Sequence, residues 1–238
     1  MKKSTTTVLL ILIATLFNIA YSQSLSEVLE KHFKAVGQEK IVSAESYFMK
    51  AKISQMGMEM PMEIKMKRPQ KFRVEMEMQG QKMIQAYDGE TGWMIAPWMS
   101  PDPQDLGGDQ LKQAMEQADF EGELYNYEKK GHTVDLIGKV NADGKEAYRV
   151  KLTTKDGSIK NYFIDANTYF IIRVKAKVKA MGQEVEVEQN LSDYKDFDGI
   201  KMAMKMESTT PMGKMSISIE EFAVNQQFDD AIFARPAK

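Results

Sequence analysis

The sequence predicts an α+β fold: a strongly curved antiparallel β-sheet with helices on its concave face. Three observations carry this expectation. Apolar residues recur with a period of two through most of the chain, the pattern of half-buried strands. Glycine dipeptides such as Gln79-Gly80, Asp88-Gly89, Asp143-Gly144, Asp156-Gly157 and Asp198-Gly199 punctuate those runs with turn chemistry, which makes an antiparallel meander. Helical spacing appears in only two short stretches, and two short helices bury one face of so large a sheet only if it curls around them.

The elements follow in chain order. Met1-Lys2-Lys3 is a positive start, and Val8 to Ala20 is an apolar run. At about 13 residues it is shorter than the ~20 that span a bilayer. With Ala20-Tyr21-Ser22 behind it, this is the layout of a secretory signal peptide cut after Ser22. The expectation is a signal peptide over 1–22 and a single exported domain over 23–238. A helix then opens with Ser24 and Glu27 as a capping box. Leu25, Val28, Leu29, His32 and Val36 line one face, and Gly37 stops it. Met58, Met60, Met62, Ile64 and Met66 alternate with polar residues. Pro61 among them argues for an edge strand or a bulge. Phe72, Val74, Met76 and Met78 alternate likewise, and strands follow around Met83 and Trp93. Residues 96–108, with Pro97, Pro101 and Pro103, read as a long loop. A second helix runs from about Asp109 to Ala118 with Leu111, Ala114, Met115 and Ala118 on one side. Strands resume from Thr133 to Phe222, and a short tail closes the chain at Phe228 to Pro236.

Charge sets the expected register. Lys175, Lys177 and Lys179 face Glu188, Glu186 and Glu184 if the turn lies between Ala180 and Gln183. Val178/Val185 and Ala176/Val187 then share the other face. A turn at Thr210-Pro211 pairs Lys201 with Glu220 and Glu207 with Lys214, and stacks Met202/Ile219, Met204/Ile217 and Met206/Met215. Glu77/Lys82 beside Met76/Met83 repeats the arrangement. One face of the sheet is a ladder of ion pairs; the other is apolar and dominated by methionine, of which the chain has 19. Methionine is flexible and polarisable and suits surfaces that accommodate variable apolar shapes. Helices packed flat on this face make an ordinary core. Helices that cover it loosely make a groove.

The catalytic inventory is thin. The chain has no cysteine and two histidines, His32 on a helix stripe and His132 beside Gly131. That removes thiol chemistry, disulfides and the usual zinc spacings. Asp102, Asp105 and Asp109 lack calcium-loop spacing and read as loop solvation and a helix cap. Nucleophile elbow, phosphate loop and dinucleotide fingerprint are missing. A net charge of −2 with both signs interspersed gives no nucleic-acid footprint. The expectation is a binding protein without catalytic residues, metal or cofactor.

Lys67-Arg68-Pro69, Phe72, and the strand to Asp88-Gly89 and Trp93 resemble the signature of the periplasmic outer-membrane lipoprotein carriers, the LolA-like family. The proline-containing loop and helix after Trp93, Gly144 to Tyr148, and the ending Phe233-Ala234-Arg235-Pro236 are also similar. The resemblance implies an incomplete antiparallel barrel closed by a helical lid, which shields the acyl chains of lipoproteins or other lipids during transfer to the outer membrane. It implies no cofactor and no catalysis. Its partners would be acylated lipoproteins or free lipids, an ABC-type exporter in the inner membrane and an acceptor in the outer membrane, met by a monomer. It puts Arg68 where the family has an arginine that holds the lid. On the groove this reading places Met62, Ile64, Met66, Phe72, Val74, Met76, Met83, Trp93, Val185, Val187, Met202, Met204 and Met206, with Arg68, Leu25, Leu29, Leu111 and Met115 as lid contacts. The chain departs from the family in being longer, richer in methionine and longer in its hairpins. The rival readings are a lipid- or lipoprotein-sensing domain of the same fold, and an enzyme acting on lipids or cell-wall material.

Overall fold

A computed structural model describes residues 23–180, 183–210 and 213–236. The expected signal peptide lies outside the described residues, as do the dipeptides Met181-Gly182 and Pro211-Met212. Three helices are described: α1 (Leu25–Val36), α2 (Gln38–Ser43) and α3 (Gly108–Gln117). The strands are β1 (Ser46–Gln55), β2 (Met58–Lys67), β3 (Lys71–Met78), β4 (Gln81–Tyr87), β5 (Gly92–Ala96), β6 (Ser100–Asp105), β7 (Thr133–Ala142), β8 (Lys145–Thr153), β9 (Ile159–Asp165), β10 (Ile171–Ala180), β11 (Gln183–Phe197), β12 (Ile200–Thr210) and β13 (Gly213–Val224). They form one curved antiparallel sheet in the order β6-β5-β4-β3-β2-β1-β13-β12-β11-β10-β9-β8-β7. The sheet does not close: β6 and β7 are its edges. This is the α+β incomplete barrel expected from the sequence. No helix among the described residues is long and apolar enough to cross a membrane.

Local chemistry explains the elements. The Ser24 side chain accepts from the Glu27 backbone N–H and the Glu27 carboxylate accepts from the Ser24 N–H, so α1 opens on a true capping box. Gly37 ends it at φ 75°, where a Cβ would stand 1.9 Å from the Gly199 carbonyl oxygen. Only glycine fits that corner, and the chain turns there directly into α2. In the β3–β4 hairpin Gln79 and Gly80 both take positive φ, the geometry that matches strand twist.

The charge-based register holds in full for β10 and β11: Lys175↔Glu188, Lys177↔Glu186, Lys179↔Glu184, with Val178↔Val185 and Ala176↔Val187 between them. Glu77↔Lys82 and Met76↔Met83 hold as well. In β12 and β13 the register differs by two residues. Met206, not Met204, faces Ile217, Thr209 faces Lys214, and the hairpin closes at Thr210↔Gly213. A shift of two keeps every side chain on its face, so alternation cannot detect it. The charges that suggested the other register have different partners. Glu220 meets Lys52 of β1 at 2.8 Å, Lys201 meets Asp196, and Glu207 meets Lys205 at 2.9 Å.

Three prolines are also placed differently. β2 is interior, between β1 and β3, yet its ladder to β3 runs only from Met62 to Lys67, so Pro61 stands just past the end of that ladder. Residues 100–105 are not loop but the edge strand β6, where Pro101 and Pro103 need no outer partner. Asp109 lies in the first turn of α3, whose N-cap is Gly107 without a side-chain cap.

Burial divides into two apolar clusters on the concave side, not the single shared concavity expected. One joins β1–β3, β12 and β13 to Leu106, Ala114, Ala118 and Phe120. The other packs α1, through Val28 and Leu29, on Val134, Tyr148, Val150, Leu152, Tyr162 and Ile164 of β7–β9. The convex face carries the ion-pair ladder, including Lys50–Glu221 at 3.1 Å and Lys175–Glu188 at 2.7 Å.

Candidate functional site

The first cluster is the methionine face. Its floor is buried: Met60, Met62 and Met66 on β2, Phe72 and Val74 on β3, Met204 on β12 and Ile219 on β13. Ile64, Met76, Met78, Met202, Met206, Met215 and Ile217 are half-buried around it. Toward the β1–β2 turn the β2 row opens, and Met58 is 48% exposed. The other end is closed by α2, Tyr47 and Phe120, whose rings stack at 4.3 Å. Burial pushes the Tyr47 hydroxyl pKa up, although the Arg68 charge opposes the shift.

Arg68 fastens that closed end. Its Nε donates to the Ala44 carbonyl at 2.8 Å, and its Nη2 to the Val42 and Ile41 carbonyls at 2.7 and 3.2 Å. These are the carbonyls that the last turn of α2 leaves unpaired. Nη1 reaches Glu121 at 3.3 Å, and the guanidinium lies 4.8 Å from the centre of the Phe120 ring. The arginine thus ties α2 to the segment after α3. α2 was not legible beforehand, since six residues between Gly37 and Ala44 are too few for periodicity. The segment 119–125 carries no regular pattern either.

α3 bridges β5 and the β8–β9 region across the concave side. Leu111 packs over Gly92 beside Leu106, where a Cβ on Gly92 would stand 2.9 Å from Leu106 Cδ1 and 3.1 Å from Leu111 Cδ1. On its other side Lys112 pairs with Asp156, and Glu116 with Lys160 at 3.4 Å. Leu111, Ala114 and Ala118 make its narrow apolar stripe. Met115 was expected there but falls outside it and is 46% exposed.

The remaining expected residues distribute as follows. Met83, Val185 and Val187 share the methionine face, half-buried and outside both clusters. Leu25 and Leu29 belong to the second cluster. Trp93 is on the opposite face. It pairs with Ala86 while Gly92 and Met94 take the inner positions, and it is 1% exposed beneath the C-terminal tail. Its Nε1 donates to the Phe233 carbonyl at 2.8 Å, and Arg73 stacks on its ring and donates to the Ile232 carbonyl at 2.6 Å. A groove role for Trp93 is therefore excluded by its side of the sheet.

A cavity of about 400 Å³ lies at the lid seam, between α1, α3, the 119–125 segment and β9. Most of the residues that line it are polar or charged, with Phe33, Leu124 and Ile171 among them, and it does not include the methionine rows. Its carboxylates are paired: Glu123 with Lys160 at 2.6 Å, Glu121 with Arg68, Asp119 with Lys130 at 2.6 Å. Glu123 also accepts from the Tyr162 hydroxyl at 2.5 Å, and burial, then the Glu123 charge, pushes that hydroxyl's pKa well up. His32 is buried beside it with Nδ1 2.8 Å from the Tyr169 carbonyl oxygen, and burial lowers its pKa. Among the described residues no three His, Asp or Glu side chains gather as a metal site.

No protein-family model matches the sequence, and no curated protein matches it. Solved structures do match. A DUF1329 family protein from Desulfovibrio piger superposes with a TM-score of 0.61 at 16% identity, over 87% of this chain and 97% of that one. A LolA superfamily protein from Nitrosomonas europaea gives 0.60 at 12%, over 90% and 98%. A putative outer membrane lipoprotein-sorting protein domain from Vibrio parahaemolyticus gives 0.58 at 10%, over 87% and 97%. At such identities the likeness is one of architecture, and it spans nearly the whole of each relative: this chain has the fold of the LolA-like proteins.

Proposed function

We propose that the chain is an exported, periplasmic carrier that shields the acyl chains of lipoproteins or other lipids on its methionine face during transfer to the outer membrane. The observation that carries this reading is a continuous methionine-rich face, buried at its floor and half-buried around it, under helices tied down by Arg68, by surface ion pairs and by a narrow apolar stripe. An acyl chain in water costs about 0.8 kcal/mol per CH2, and a carrier must offset much of that while still releasing its cargo. Thioether side chains adapt to chains of different shape. α3 is seated by surface ion pairs worth ~0–1 kcal/mol each and a narrow stripe of three small or medium side chains, so it can lift without unfolding the sheet. An inner-membrane exporter and an outer-membrane acceptor are the partners this role calls for.

Binding of a fluorescent long-chain fatty acid tests the reading. The expected outcome is saturable binding, weakened about tenfold or more by Met76→Glu and by Met206→Glu, since a carboxylate in an apolar contact is costly. Both positions are half-buried, so circular dichroism should show the fold kept. Absence of binding, or binding indifferent to both charges, would make the face an ordinary core.

A further inference from the structure

The two rims of the sheet differ in chemistry. Connections in an up-and-down antiparallel sheet alternate between rims. One rim holds residues 68–70, 88–91, 143–144, 166–170 and 198–199, including Asp88-Gly89, Asp143-Gly144 and Asp198-Gly199. The other holds the turns at 56–57, 79–80, 97–99 and 154–158. There Met56 is 78% exposed, Met99 77% and Trp98 48%, beside Met58 at the start of β2. None of the three tip residues has a core to fill. The hairpins β1–β2, β3–β4 and β5–β6 are neighbours in the sheet, so their tips stand about 10 Å apart along one rim.

The area decides what such a rim fits. Taking about 200 Å² for a whole methionine or tryptophan side chain, these four residues expose roughly 500 Å². A stable protein interface needs about 800 Å² per partner in one complementary patch. Here the surface is smaller and split between separate prongs. Isolated flexible apolar prongs suit a fluid surface, and tryptophan partitions to the headgroup level of a bilayer. The methionine face is continuous with this rim, because Met58 heads the row that descends through Met60 and Met62 to buried Met66.

We propose that this rim docks on a lipid bilayer, inserting Met56, Trp98 and Met99 at the boundary of headgroups and acyl chains. Docked so, the methionine face opens onto the bilayer and an acyl chain can pass between them without crossing water. That second step rests on the carrier reading; the docking itself does not.

The test uses residues 23–238 and vesicles of phosphatidylethanolamine and phosphatidylglycerol, with and without bromine on the acyl chains. The chain has two tryptophans, and Trp93 is buried on the convex face, so Trp98 is the reporter. Brominated vesicles should quench its emission, and Trp98→Phe should remove the quenching. Met56→Glu with Met99→Glu should lower co-sedimentation with vesicles about tenfold. Lys145→Glu, on the opposite rim and equal in charge change, should leave it unaltered. Absence of quenching, wild-type sedimentation of the double variant, or an equal loss with Lys145→Glu would each overturn the proposal. Fatty-acid binding in vesicle-free solution reads the carrier function separately, and the double variant should retain it. Loss of that binding in every form would sink the carrier reading and leave the vesicle result to decide the rim.

Discussion

Replacing Arg68 by leucine removes four hydrogen bonds at once, three of them to backbone carbonyls at the end of α2 and one to Glu121. A hydrogen bond to a charged group contributes about 1.5–3 kcal/mol, but bonds sharing one guanidinium do not add, and the Arg68 side chain keeps some contact with water. About 3 kcal/mol is the working figure for the closed end of the groove. The loss is local. α2 contributes only Gln38 to the buried interior and half-buried Ile41 to the methionine cluster, and the second cluster, under α1, includes none of the arginine's partners. Amide hydrogen exchange should therefore accelerate about 100-fold in residues 38–45 and 119–122, at ~1.4 kcal/mol per factor of ten. Amides of β7–β9 should keep their protection. Arg68→Lys should fall between, because an ammonium keeps the charge but not the planar fork. Unchanged exchange in both segments would show that the arginine holds nothing. Equal acceleration across the whole sheet would show that it is part of the global core and not a lid fastening.

Acid should act through Glu75. Burial works to raise its carboxyl pKa, but hydrogen bonds from Lys82 and Arg73 and the charges of Arg73 and Lys65 outweigh it and hold the group at about 2. A depressed folded value gives stability that is complete above the unfolded pKa of about 4.3 and lost as pH falls toward 2. Urea unfolding between those pH values should show Glu75→Gln with a flatter acid limb than the parent; parallel limbs would refute this. The register of β12 and β13 can be tested covalently, since the chain has no cysteine to interfere. Met206→Cys with Ile217→Cys should form a disulfide on oxidation, while Met204→Cys with Ile217→Cys should not. The reverse pattern would restore the two-residue shift.

The sequence alone determined what is local or periodic. The capping box at Ser24 and Glu27, the glycine stop at residue 37, the Gln79-Gly80 hairpin and the β10–β11 register are all written in neighbouring residues, where a charge ladder and an apolar ladder agree. So is the alternation that collects methionine on one face, because period two assigns a face without knowledge of the neighbour. That Arg68 holds a lid is what the resemblance to the LolA-like family implied; the α2 carbonyls it reaches are not written in its sequence neighbours.

Tertiary structure decided the rest, for one physical reason: a period of two is blind to displacements by two and to the parity of a loop. It could not distinguish Met204 from Met206 opposite Ile217. It could not say that Trp93 leaves the Asp88–Thr91 turn on the outer face, where the C-terminal tail from Phe228 to Phe233 buries it. Pairing of β1 with β13 joins residues far apart in sequence, and it supplies Lys52 as the partner of Glu220. Pro101 and Pro103 read as loop until the sheet order makes β6 an edge. Division of the interior into two clusters, with α1 on β7–β9 and α3 reaching from β5 to the β8–β9 region, follows from how far the sheet curls. That curvature is a sum over all thirteen strands and is written in no single segment.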